Sequence, residues 1–117
     1  MDIDAEYEVV ENDPASKVAK VRFRVYVNSY SIGIGARSEN YLIVNGQKTE
    51  AIYTPAIQVP GGSGLTRTLL YETVLEISKT AEGKIPFQVE FDWFYKGSYS
   101  GEYADWLTVK ADLNITP

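Results

Sequence analysis

The chain has 117 residues, of which 44% are hydrophobic and 13% aromatic, and its net charge at pH 7 is -5. This length fits one domain, residues 1–117, that buries roughly two thirds of its unfolded surface, and the composition excludes a disordered chain. The acidic balance repels phosphate backbones, so we expect no nucleic acid partner, and the short apolar runs predict no membrane partner.

Alternation of apolar and polar residues dominates the chain, and Gly, Pro, Asn or Asp ends each alternating run. A period of two is typical of half-buried antiparallel strands, and no segment predicts a helix. The first run, Tyr7 to Glu11, is weak. The next is the clearest, and its apolar side consists of Val21, Phe23, Val25 and Val27.

Weaker runs occupy the middle of the chain: Ser29 to Ala36, Glu39 to Val44, Thr49 to Gln58 and Thr68 to Ser78. Asn45-Gly46 separates two of them and readily takes the positive φ values of a type I′ hairpin turn. The segment Pro60 to Gly64 predicts an exposed loop because it is rich in glycine, and Ala81 to Lys84 predicts a tight turn.

Two further strong runs complete the predicted core. Their apolar sides consist of Phe87, Val89, Phe91 and Trp93, and of Leu107, Val109, Ala111, Leu113 and Ile115. About seven or eight strands with turns every eight to twelve residues or so favour an all-β, antiparallel two-sheet sandwich with Greek-key connections. The abrupt end at Pro117 is compatible with one module of a longer polypeptide.

The sequence contains no His and no Cys, which removes catalytic triads, Cys-His pairs and most zinc and copper sites. We therefore expect no enzymatic activity, no metal and no cofactor. Four carboxylates lie close together in sequence and leave a glycosidase or a calcium site as alternatives: Glu90, Asp92, Glu102 and Asp105. The solvated outer face of an acidic sandwich explains them more simply.

Aromatic residues crowd the segment from Trp93 to Trp106, and not all of them fit in a core. Trp93 continues the inward side of its strand, which turns Phe94 outward. Exposed rings beside polar groups stack on sugars or anchor protein interfaces, although Tyr and Trp are also ordinary strand residues. The candidate ligand-binding residues are Phe94, Tyr95, Tyr99, Tyr103 and Trp106.

Several turns and strands resemble one viral family. The segments are Lys79 to Lys84 before a Phe-rich strand, Gly97 to Gly101, the closing Leu113 to Pro117, and the hairpin around Asn45-Gly46. Together they resemble a module of siphovirus tail-tip or minor structural proteins over nearly the whole chain. That family tends to place His and Asn where this chain has Ser78, Lys79 and Thr80. Any role of the family's His and Asn therefore does not carry over to this chain.

The resemblance implies an immunoglobulin-like sandwich in the tail of a phage or prophage virion, produced in the bacterial cytoplasm. Its partners would be other tail or baseplate subunits, and host attachment would bring in cell-wall polysaccharide. The alternative function is a carbohydrate-binding or adhesion module that recognises polysaccharide through the Tyr/Trp residues. A bacterial surface adhesion domain unrelated to phage fits the same composition.

Overall fold

The computed structural model describes residues 1–116. This part of the chain is all-β, so it contains no helix that is long and apolar enough to cross a membrane. The strands are β1 Asp2–Glu11, β2 Val18–Ser29, β3 Ile32–Ile34, β4 Arg37–Val44, β5 Gln47–Thr54, β6 Ile57–Val59, β7 Thr66–Ser78, β8 Ile85–Trp93, β9 Gly97–Tyr99, β10 Glu102–Ala104 and β11 Leu107–Ile115.

The longer strands form two antiparallel sheets. The first sheet has the order β1-β2-β7 and the second has the order β11-β8-β4-β5. The three-residue strands form two small sheets, β3 with β6 and β9 with β10. Most neighbours in the main sheets are not consecutive in the chain, so several connections cross from one sheet to the other. The predicted all-β antiparallel class is confirmed.

Two of the three predicted core runs are confirmed. Val21, Phe23, Val25 and Val27 of β2 are buried, as are Phe87, Val89, Phe91 and Trp93 of β8. Rings join the two sheets across the core, with Tyr71 of β7 stacked on Phe91 at 5.2 Å between centroids. This contact places β7 opposite β8.

The third predicted core run contributes less than expected. The apolar residues of β11, from Leu107 to Ile115, are only half-buried. The reason is that β11 is an edge strand of the second sheet and has one strand neighbour among residues 1–116. The rest of the core comes from the weaker runs and a small sheet, with Leu42, Ile52, Leu70 and Ile77 among its buried residues.

The predicted turns form where expected. Asn45 and Gly46 have φ values of 48° and 86°, as a type I′ turn between β4 and β5 requires. The turn before β8 closes through a 2.9 Å hydrogen bond from the Gly83 amide to the Thr80 carbonyl. Residues 60–64 are exposed and join β6 to β7 without regular structure.

The first strand begins at Asp2, five residues before the predicted run, and its acidic side chains pair with cations of β2 and β7 in the same sheet. Arg67 of β7 contacts Asp4 at 2.6 Å and Glu6 at 2.9 Å. The side chains between these carboxylates, including Ile3 and Ala5, pack against the core. Cross-strand ion pairs therefore keep an acidic edge strand in the first sheet.

Candidate functional site

The five candidate aromatic residues lie in three different environments. Phe94 and Trp106 lie on the outer face of the second sheet, together with Tyr41 of β4. These three rings form the outer aromatic cluster. Trp106 contacts Phe94 at 4.7 Å and Tyr41 at 5.3 Å between centroids. Trp106 is 40% exposed and is the most accessible ring of the cluster.

Tyr95 lies in the connection between β8 and β9, but its side chain is buried in the core and offers no ring face to a ligand. It is 4% exposed, and its ring packs against Trp93 at 5.2 Å. Its hydroxyl donates to the Ser98 carbonyl at 3.0 Å. The backbone turns beyond Trp93, so the alternation that holds along β8 does not continue to this residue.

Tyr99 and Tyr103 belong to the β9–β10 hairpin, which folds over Tyr95. Gly97 permits this close approach, since a Cβ atom there would lie 3.2 Å from the Tyr95 ring. The Tyr99 hydroxyl accepts a hydrogen bond from the Tyr30 amide at 2.9 Å. Tyr103 is 59% exposed and donates to Asp105 at 2.9 Å. Both hydroxyls therefore have partners within the domain.

The geometry of the outer aromatic cluster resembles a small core more than a sugar platform. The Trp106 ring is tilted by 49° from Phe94 and by 59° from Tyr41. Aromatic pairs that pack on one another prefer such tilted contacts. The Lys48 ammonium lies 4.1 Å from the centroid of the Tyr41 ring, which covers that ring further. The ring faces of the cluster therefore contact mainly one another.

Asn40 holds the backbone beneath this cluster and was not among the predicted site residues. It is fully buried, and its side-chain amide donates to the Ile52 carbonyl at 2.8 Å and to the Thr54 hydroxyl at 3.1 Å. Its side-chain oxygen accepts from the Phe94 amide at 2.8 Å. An Asn on the inward side of an otherwise apolar run was the sequence signal for this role.

A buried carboxylate lies under the cluster. Asp92 is 4% exposed, between Tyr41 and Thr108 on the neighbouring strands. The Thr108 hydroxyl donates to one carboxylate oxygen, whereas the other, Oδ2, has no hydrogen-bond partner among residues 1–116. Burial raises the pKa of Asp92, and the adjacent Glu90 carboxylate adds to the rise.

Replacing Asp92 by Asn is expected to stabilise the fold by about 1 kcal/mol at pH 7. The raised pKa means that folding disfavours the charged form, so ionisation of Asp92 costs stability as the pH rises through its folded-state value. The gain should shrink as the pH falls from the raised folded-state pKa towards 3.8, the ordinary pKa of the group, and be absent below it. Thermal unfolding of the wild-type domain and of Asp92→Asn between pH 3 and pH 7 measures this difference in stability.

Asp112→Asn is the matched control, because this carboxylate is exposed on β11. Its effect should stay within about 0.5 kcal/mol at every pH. Lower stability of Asp92→Asn at pH 7 would contradict a penalty for burying the Asp92 charge.

The four carboxylates considered for catalysis or calcium are divided between two places. Glu90 and Asp92 lie on β8, whereas Glu102 begins β10 and Asp105 follows it. Asp105 accepts from Tyr103, and Glu90 contacts Lys110 at 3.3 Å. Across residues 1–116, no three His, Cys, Asp or Glu side chains come together in a group able to hold a metal ion.

A groove of about 680 Å³ lies on the side of the sandwich where β7 and β5 are the outermost strands. We call it the β7 groove. Its apolar wall is Leu42, Val44, Leu75, Ile77 and Phe87, and Thr49 of β5 lines it from the exposed side. Polar residues line the rest of the groove, among them Gln88 of β8 and Asp112 of β11. The groove exists because the first sheet has three strands and the second has four.

The outer edge of β7 pairs with no other strand in the described part of the chain, residues 1–116. This strand spans Thr66–Ser78 and contains neither proline nor lysine, residues that commonly prevent edge pairing. Leu69 and Val74 on its outer face are 46% and 47% exposed. Edge position depends on the tertiary fold, so the alternating pattern of β7 gave no sign of it.

Comparisons of the chain with family models, with curated proteins and with solved structures found no match.

Proposed function

We propose that this domain is a non-catalytic assembly module that joins other subunits through a sheet edge. The observation that carries the proposal is the long outer edge of β7, which lies beside a groove with one apolar wall. An exposed edge of this length is a template for pairing with another chain. The outer aromatic cluster supports a sugar-binding role less well, because its rings are tilted against one another.

The strand order supports an immunoglobulin-like sandwich as the particular fold. If β1, β2, β4, β5, β7, β8 and β11 are lettered A, B, C, C′, E, F and G, the sheets become A-B-E and G-F-C-C′. Immunoglobulin-like domains share these neighbours, with A, B and E in one sheet and C, F and G in the other. In this proposal β5 occupies the C′ position.

The setting that we propose is the tail or baseplate of a phage or prophage virion. The support is the resemblance of the turns around Asn45-Gly46, Ala81 to Lys84 and Gly97 to Gly101 to siphovirus tail modules. The first two of these form tight turns, and the third forms the β9–β10 hairpin. These turns have structural roles in the fold. The function that we propose from them is therefore assembly and not catalysis.

Immunogold labelling tests this setting. An antibody against the domain is applied to particles and to cells from an induced culture of the bacterium that encodes it. We expect gold on particle tails. Gold confined to the bacterial surface would overturn the virion assignment and favour the adhesion alternative, in which Trp106, at 40% exposure, is the most accessible ring of the cluster.

A further inference from the structure

We propose that the β7 groove receives one extended strand from a different subunit, in which apolar side chains alternate with Lys or Arg. This inference rests on the proposed assembly function and specifies the partner. The incoming strand hydrogen-bonds to the edge of β7 and directs alternate side chains into the groove, the mode called β-strand addition.

The sandwich lacks one strand at this position. Because β7 lies opposite β8, as the stacking of Tyr71 on Phe91 shows, no strand of the first sheet, β1-β2-β7, lies over β5. Thr49 of β5 is exposed, and Val44 of β4 is only half-buried. A strand added beside β7 would give both sheets four strands and cover this apolar wall.

The other three edges of the main sheets carry features that discourage pairing. β1 bears a row of carboxylates, and β11 lies against β1 of the opposite sheet. β5 carries Lys48 and Glu50, and its Ala51 has a φ of 55°, which interrupts a regular strand edge. β7 has a bulge at Leu70, but its register from Tyr71 to Ser78 is regular and this half lines the groove. We therefore assign the partner strand to the edge from Tyr71 to Ser78.

The charge of the edge selects a basic strand. Glu76 is exposed on the outer face of β7, and the domain has a net charge of -5. Lys20 lies opposite Glu76 on β2, but its ammonium contacts Glu11 at 3.5 Å instead. The other exposed carboxylate of this face, Glu72, is already paired with Arg24. An outward Lys or Arg side chain of the incoming strand would face Glu76, and favourable cross-strand pairs stabilise a sheet.

A second copy of this domain does not fit the groove. Two identical domains paired through β7 would place their second sheets on the same side of the joint sheet. In each copy β5 extends beyond β7, so these second sheets would occupy the same space. The acidic strand β1 of another copy would bring carboxylates against Glu76. A single strand of different composition avoids both conflicts.

The test titrates the whole domain with two labelled nine-residue peptides and measures fluorescence anisotropy. One peptide alternates Val with Lys, and the other alternates Val with Glu. We expect the Val-Lys peptide to bind at least tenfold more tightly. Glu76→Lys should weaken its binding about tenfold, because a favourable pair becomes a repulsive one. Thr49→Trp, which fills the groove from its exposed side, should abolish it.

Glu102→Lys is the control, since it makes the same charge change on the exposed β9–β10 hairpin, and it should alter the affinity less than threefold. Circular dichroism verifies that each variant is folded. Equal binding of the two peptides, no binding of either, or binding unaffected by Glu76→Lys and Thr49→Trp would overturn the inference. If immunogold labelling nevertheless places the domain on particle tails, any of these results would rule out only this partner strand. The proposed assembly function would be unaffected.

Discussion

Asn40→Ala is expected to lower the free energy of unfolding by about 3 kcal/mol, which corresponds to a fall of roughly 10–15 °C in the melting temperature. Asn40 is fully buried and bonds to β5 and to the residue after β8. Alanine leaves the Phe94 amide and the Ile52 carbonyl without these partners. Buried polar groups that lose a partner bear the full cost of desolvation.

Chemical denaturation of Asn40→Ala beside Asn114→Ala measures this effect. Asn114 is exposed on β11, so its replacement should change stability by no more than about 0.5 kcal/mol. Equal, small effects of the two substitutions would contradict the central position that the structure gives to Asn40.

Phe91→Ala is expected to destabilise the domain by about 4 kcal/mol, whereas Leu113→Ala should cost about 1 kcal/mol. Phe91 is fully buried at the centre of β8 and stacks on Tyr71, so its removal leaves a cavity between the sheets. Leu113 is half-buried on the edge strand β11, where solvent and small rearrangements fill the space.

The comparison is made by equilibrium urea unfolding of both variants and the wild-type domain. It tests the finding that β8 is central and β11 peripheral, although the two strands have the same apolar alternation. A cost for Leu113→Ala as large as that for Phe91→Ala would mean that β11 belongs to the core.

The sequence predicted the elements that depend on local patterns. Alternation in Val21–Val27 and Phe87–Trp93 identified buried strands, and Asn45-Gly46 identified a hairpin, because side-chain direction and turn geometry follow from neighbouring residues. Alternation does not say how many neighbours a strand has. For that reason it did not predict that the apolar residues of β11, which pack against the core, are only half-buried.

The candidate site was harder to predict because it depends on contacts between distant segments. Phe94 and Trp106 do meet, but the third ring of their cluster is Tyr41, which lies far away in sequence. The backbone turn after Trp93 returns Tyr95 to the core. The β7 groove likewise results from the numbers of strands in the two sheets, which local patterns do not specify.

Photo-crosslinking tests the central claim, assembly through the edge of β7, most directly. A benzophenone amino acid is placed at Val74 in β7 or at Tyr103 in the β9–β10 hairpin, both exposed, and the protein is irradiated in the bacterium that produces it. We expect position 74 to crosslink to another virion subunit and position 103 to remain uncrosslinked. Crosslinks at position 103 with none at position 74 would contradict the account and move the interaction to the aromatic hairpin.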